Sequence, residues 1–289
     1  MGYLHIDNLY KNQIILMFKE CYALEKIHGT SAHIKWKAEE KRVCFYQGGE
    51  TYDKFVALFD KDFLEKTFLE ISPDYDIIVF GEAYGGKQQG MRKTYGDNLK
   101  FVGFDVKVGE YWLNVPKAES VCKQLNVEFV DYVKIPTDLD KLNFERDKDS
   151  VQAIRNGCGE GKLREGVVLR PIEELRLNNG ERVISKHKRD EFKETKTPRE
   201  VKPEEFVVLT KAKEIADEWV TEMRLTHVLG KLSPEIGMNE IPVIIKAMQE
   251  DVLREAKDEI VESKEALKAI GSKTAVLFKQ RLQNSLKTV

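Results

Sequence analysis

Long apolar runs are missing from this 289-residue chain, and no stretch of about 18 apolar residues occurs, so no membrane-spanning helix is expected. The opening residues Met1-Gly2-Tyr3-Leu4-His5-Ile6-Asp7 lack the basic and apolar regions of a secretory signal, so none is expected there. Cysteine is sparse. Cys21, Cys44, Cys122 and Cys158 stand far apart, with no CxxC pair and no zinc-like Cys/His spacing; four reduced thiols in a cytoplasmic protein are expected. Charge of one sign is not in excess. The net charge is −2 although 33% of residues are charged, so any nucleic-acid contact must come from local patches. Glycine nearly disappears late in the chain: 16 of the 19 lie at or before Gly180, and only Gly230, Gly237 and Gly271 follow.

That glycine boundary separates two kinds of sequence. Before it, Asp76–Phe80, Phe101–Val108, Gly166–Leu169 and Arg182–Lys186 are β-type runs bounded by turn formers, with helical stretches expected at Tyr52–Phe68 and Lys117–Gln124. After about Pro203 the spacing turns helical. Val208, Ile215, Trp219 and Met223 recur along one helix that Gly230 would end. Pro242 would open a second helix, and Gly271 would interrupt it before a last one through Leu282. The expected class is α+β, with a mixed domain over residues 1–202 and a small all-α domain over 203–289. Residues 181–202 hold eight Lys/Arg against five Asp/Glu, the clearest basic excess in the chain.

Chemistry-bearing residues cluster in the first part. Lys26 lies in Glu25-Lys26-Ile27-His28-Gly29-Thr30-Ser31, a Lys-x-x-Gly pattern that also occurs at Lys87, Lys93 and Lys268, among others. An amine can attack a nucleotide phosphate once it sheds a proton held with an ordinary pKa of about 10.4. What singles out Lys26 is its downstream company. Val79-Phe80-Gly81-Glu82 delivers a carboxylate into a glycine-rich turn, where it can meet a ribose or a metal. Phe104 is an aromatic of a size to stack on a purine. Glu165-Gly166-Val167-Val168-Leu169-Arg170 places an acid before a buried strand and an arginine after it. Lys186 and Lys188, two apart in a strand, share a face and offer two cations to one polyphosphate. Together these are the parts of nucleotidyl transfer.

In order and spelling the segments resemble the covalent nucleotidyltransferase superfamily, and within it the RNA ligase 2 family of ATP-dependent RNA ligases. The resemblance spans about residues 20–195. It implies an N-terminal adenylyltransferase domain of antiparallel sheets with flanking helices, followed by a helical domain. It implies Lys26 as the adenylated residue, with Glu25, Ile27 and Gly29 lining the nucleotide beside it, and His28 serving the sealing step. It further implies Glu82 on the ribose, Phe104 on the adenine, Glu165 in metal-assisted chemistry, Arg170 near the nucleotide, and Lys186 and Lys188 on the phosphates. ATP and Mg²⁺ are the implied cofactors. RNA ends, in a nicked duplex or single-stranded, are the implied partners of a monomeric, membrane-free protein. His28 stands where DNA ligases and capping enzymes carry Asp, and the helical last third replaces their β-rich OB domain.

One position departs from the family. An arginine is expected near a glycine after the nucleophile strand, but the chain reads Arg42-Val43-Cys44-Phe45-Tyr46-Gln47-Gly48-Gly49. Either Arg42 substitutes or Gln47 does a weaker version of the task. Two other readings stand beside the ligase: a capping-type guanylyltransferase, and a catalytically silent RNA-binding protein on a ligase scaffold.

Overall fold

Alternation of apolar and polar residues folds the first part into two antiparallel sheets. The computed structural model describes residues 2–48, 52–177, 179–196, 212–232 and 238–286. In the first sheet β1 (Glu20–Lys26) lies between β7 (Tyr132–Pro136) and β8 (Gly166–Pro171), and β9 (Ser185–Lys188) extends it, in the order β7-β1-β8-β9. The second sheet has the order β3-β2-β4-β5-β6, formed by β3 (Arg42–Gln47), β2 (Thr30–Lys37), β4 (Ile77–Tyr84), β5 (Lys100–Val108) and β6 (Tyr111–Trp112). The β-type runs at 76–80, 101–108 and 166–169 are all strands, and the fourth begins at Ser185 rather than Arg182.

Six helices flank the sheets among the described residues: α1 (Tyr52–Val56), α2 (Lys61–Ile71), α3 (Arg92–Tyr95), α4 (Val115–Gln124), α5 (Leu139–Arg146) and α6 (Val151–Arg155). The stretch expected as one helix over Tyr52–Phe68 is two, because Asp60 leaves helical geometry and its carboxylate accepts the Phe63 amide as an N-cap. Asn114 caps α4 in the same way, with Pro116 in the first turn. Ile34, Trp36, Phe45, Phe55, Phe68, Val79 and Val106 are buried in one cluster. Each contributes roughly 1.5–3 kcal/mol by leaving water. Trp36 also donates its indole N–H to the Ser72 carbonyl at 3.0 Å, so burying it strands no polar group.

The pairing of β4 with β5 slips once. Phe80 faces Asp105 but Gly81 faces Gly103, which leaves Phe104 as the extra residue of a bulge. Gly81 is required here, since a Cβ on it would stand 2.3 Å from the Val102 carbonyl oxygen and 2.4 Å from the Phe101 ring.

Chain contacts divide the molecule into units Met1–Arg189 and Asp190–Val289. In the second, α7 (Ala212–Trp219), α8 (Glu222–Gly230), α9 (Ile241–Glu255) and α10 (Lys264–Leu286) pack around Ile215, Trp219, Leu225, Met248 and Phe278. The single helix expected up to Val228 is divided, because Thr221 is extended and its hydroxyl accepts the Arg224 amide. Val208 lies outside the described residues. Gly230 does end α8. Gly271, expected to interrupt a helix, instead sits inside α10. A Cβ there would lie 3.0 Å from Ile245 Cγ2, so the glycine permits close approach of α9 rather than a break. Arg224 is buried under Trp219 and ion-paired to Asp251 at 2.6 Å and Glu194 at 3.3 Å.

Gly81→Ala should destabilise the first unit by about 2 kcal/mol or more through overpacking at the bulge. A fall in the urea midpoint at unchanged slope checks this; an unchanged midpoint contradicts it.

Candidate active site

Strand register brings distant basic residues together. Lys26 pairs with Gly166, and Gly166 with Lys188; one step along, Leu24 pairs with Val168, and Val168 with Lys186. Directly paired residues share a face, so Lys26, Lys186 and Lys188 stand on one face of the first sheet. Gly166 makes this close: its φ is 147°, and a Cβ would stand 2.1 Å from the His187 carbonyl oxygen.

Glu165 ends at the centre of that group. Its Oε2 accepts Lys26 Nζ at 2.8 Å and lies 3.1 Å from His28 Nδ1, and its Oε1 lies 2.9 Å from Lys188 Nζ. The carboxylate is buried. Burial alone would raise its pKa, but the Lys188 and Lys26 ammonium groups, with His28, reverse that and hold the carboxyl well below the usual range. Lys26 keeps 24% of its side-chain surface exposed, so the amine stays reachable.

The residues beside Lys26 hold the strand end. The Glu25 carboxylate accepts Ser150 Oγ at 2.5 Å and the Gln152 amide at 3.2 Å, anchoring β1 to the start of α6. Burial pushes its pKa up against the Ser150 bond and the Arg164 charge. Ile27 is in the core. The Gly29 amide donates to Glu82 Oε1 at 3.1 Å, and a Cβ on Gly29 would lie 2.4 Å from the Ala83 carbonyl oxygen. The His28 amide donates to the Tyr95 hydroxyl at 3.3 Å. Six of the expected residues (Lys26, His28, Gly29, Glu82, Glu165 and Lys188) are thus joined by direct contacts through Glu165 or along the strand ends.

Phe104 and Arg170 belong to a second cluster. Arg170 is four strand positions from Gly166, opposite Tyr22, and its guanidinium donates to Asp105 Oδ1 at 2.9 Å, Glu174 Oε2 at 2.9 Å and the Leu113 carbonyl at 2.6 Å. Arg182 reaches the same acids at 2.7 Å and 2.5 Å and lies 4.0 Å over the Trp112 ring. Tyr3 donates its hydroxyl to Asp105 Oδ2 at 2.7 Å, and its ring stands edge-on to Phe104 at 4.9 Å. This network ties β8 to β5, and so one sheet to the other. Tyr3, Asp105, Glu174 and Arg182 carry no local sequence pattern that marks them as a group; an aspartate inside an apolar strand is the one signal, at Asp105.

The chain's start connects both clusters. The Lys186 amide donates to the Asp7 carbonyl at 2.9 Å and the Leu9 amide to the Lys186 carbonyl at 2.8 Å, so residues 7–9 lie along β9 while Tyr3 reaches Phe104. Arg42 and Gln47 sit at opposite ends of β3. Arg42 pairs with Lys37, is 54% exposed and bonds Glu40, whereas Gln47 pairs with Ala32 near Thr30. Only Gln47 is at the end of the sheet that carries Glu82.

Among the described residues no group of three or more His, Cys, Asp or Glu forms a metal cage, and no helix is long and apolar enough to cross a membrane. A lone carboxylate such as Glu165 still fits Mg²⁺, which takes one or two carboxylates and leaves the remaining positions to phosphates and water.

A model of the RNA ligase family matches residues 19–188, well over half of the chain. The chain belongs to the RNA ligase family. Its fold is similar to that of the Naegleria gruberi RNA ligase. A substituted form with AMP and manganese is 14% identical at a TM-score of 0.51, over 66% of this chain and 57% of that one. Another substituted form with ATP and manganese is 15% identical at 0.51, over 66% and 56%, and the ligase with pyrophosphate is 16% identical at 0.50, over 66% and 57%. The chain therefore spans just over half the length of the Naegleria protein.

Glu165→Gln should leave Lys26 and Lys188 without their shared anion and destabilise the first unit at pH 7 by about 3 kcal/mol. Because the folded pKa of Glu165 is depressed, its contribution is fully present above the unfolded value of about 4.3 and is lost as pH falls through the folded one. Denaturant titrations should show the wild-type advantage narrowing below pH 4; an advantage independent of pH contradicts the assignment.

Proposed function

We propose that the chain is an ATP-dependent RNA ligase whose nucleophile is Lys26. The observation that carries this reading is the convergence of Lys26, His28 and Lys188 on the buried Glu165 carboxylate. Lys26 Nζ attacks the α-phosphorus of ATP; an N–P bond forms, the bond to the bridging oxygen breaks, and pyrophosphate leaves. Lys186 and Lys188 face that phosphate chain and neutralise charge as it shifts to the leaving group. Glu82 accepts a ribose hydroxyl and Phe104 stacks on the base. The AMP then passes from Lys26 to an RNA 5′-phosphate, and an RNA 3′-hydroxyl displaces it to form the phosphodiester. A divalent cation held by Glu165 and the phosphates would neutralise charge at the reacting phosphorus.

His28 and Lys26 share one oxygen of Glu165, so His28 sits close enough to orient groups at the reacting centre without being the nucleophile. Its distinct role predicts a split phenotype.

With α-labelled ATP and Mg²⁺, the protein should take up acid-stable label, and Lys26→Ala should take up none. Label surviving in Lys26→Ala, or transfer from GTP as good as from ATP, would sink the reading. Lys186→Ala and Lys188→Ala should each slow labelling on the order of 100-fold. His28→Ala should label normally but seal 5′-phosphorylated RNA on the order of 100-fold more slowly; loss of labelling instead would place His28 in the first step.

A further inference from the structure

The face of the second sheet that carries Glu82 does not end at the nucleotide. Ser31 pairs with Glu82, and in the next row His33 pairs with both Phe80 and Tyr46. The rings follow one another across the strands: Tyr46 lies flat on His33 with centroids 4.4 Å apart and planes 13° apart, and His33 meets Phe80 at 5.4 Å. His33 is buried, and burial with the nearby Lys35 charge holds its pKa down at about 4, so near neutral pH it backs Tyr46 as an uncharged ring. Tyr46 is 38% exposed. Among the described residues no second ring stacks on its other face. Strand geometry puts Tyr46 one row along and two strands across from Glu82, roughly 12 Å away.

Residues flanking Tyr46 narrow what could sit there. Gln47 pairs with Ala32, and alternation turns its side chain to the opposite face. Arg42 shares the face of Tyr46 but lies four residues down the strand, about 13 Å off, and is engaged by Glu40. The β3 end nearest the site therefore presents a flat uncharged ring. An uncharged platform beside a phosphate-handling centre suits a nucleobase, whose π-face stacks on tyrosine whatever its identity.

Resting on the ligase reading, we propose that Tyr46, backed by His33, is the stacking platform for a base at the RNA end being joined. The occupant is a terminal nucleobase of RNA, held by its face and not by its phosphate.

The test uses the full chain and a short 5′-phosphorylated single-stranded RNA with 2-aminopurine at its first or its last nucleotide. Binding should quench at least one probe. Tyr46→Ala should abolish that quench and weaken binding about tenfold, with the slope of log affinity against log salt unchanged because no ion pair is lost. Tyr46→Phe should restore both quench and affinity to within about twofold of the unaltered chain, which a fold defect would not. The proposal is overturned if neither probe is quenched, if Tyr46→Ala binds as well as the unaltered chain, if Tyr46→Phe is as weak as Tyr46→Ala, or if the salt slope falls. Self-labelling of the unaltered chain with α-labelled ATP is read separately: its absence defeats the ligase reading, whereas the quench and affinity results decide the platform.

Discussion

A single buried carboxylate, Glu165, organises the site. Two lysines and a histidine from three separate segments point at it: the end of β1, the turn beyond it, and the end of β9. At about 3 Å and an effective dielectric of 20, each lysine pair carries roughly 5–6 kcal/mol of attraction. Burial opposes this by several kcal/mol per ion. The net effect on Glu165 is a carboxyl held well below the usual carboxylate range, with Lys188 and Lys26 outweighing burial. Removing the carboxylate would leave cations facing cations, so the position of the Lys26 amine depends on an anion that lies 139 residues later in the chain.

The fold is arranged to make that meeting possible. Gly166 lets β9 press close enough for Lys188 to reach Glu165, and Gly29 lets the turn after Lys26 pass over Glu82. The second buried network, centred on Asp105 with Arg170, Arg182, Glu174 and Tyr3, fastens the two sheets at a distance from the first. The bulge that leaves Phe104 unpaired sits directly beside Asp105. So the residue that would hold the base and the residue that locks the sheets are set by one irregularity.

Much of the site was legible because its parts lie in short local patterns. The Lys26 turn, Glu82, Glu165 and the Lys186/Lys188 pair each carry a glycine or an alternation that can be read in six or eight residues. What could not be read was long-range. Tyr3 and Arg182 are 179 residues apart, yet Arg182 donates to the Tyr3 hydroxyl at 3.2 Å and both donate to Asp105 Oδ2. Arg170, grouped with Glu165 by sequence proximity, points into that second network because strand register carries it four positions away. Gly271 looked like a break, since a helix-breaking glycine and one that admits a neighbouring helix have the same spelling; only Ile245 distinguishes them. The division at Thr221 was hidden because apolar spacing continues across it, while the cap is one hydroxyl.

The central claim is that Lys26 is where the nucleotide becomes attached. The most direct measurement is peptide mapping by mass spectrometry after incubation of the full chain with ATP and Mg²⁺, quenched in acid. The account predicts one AMP adduct, on the peptide containing Glu25-Lys26-Ile27. An adduct on Lys186 or Lys188, or no adduct while RNA ends are still sealed, would contradict it.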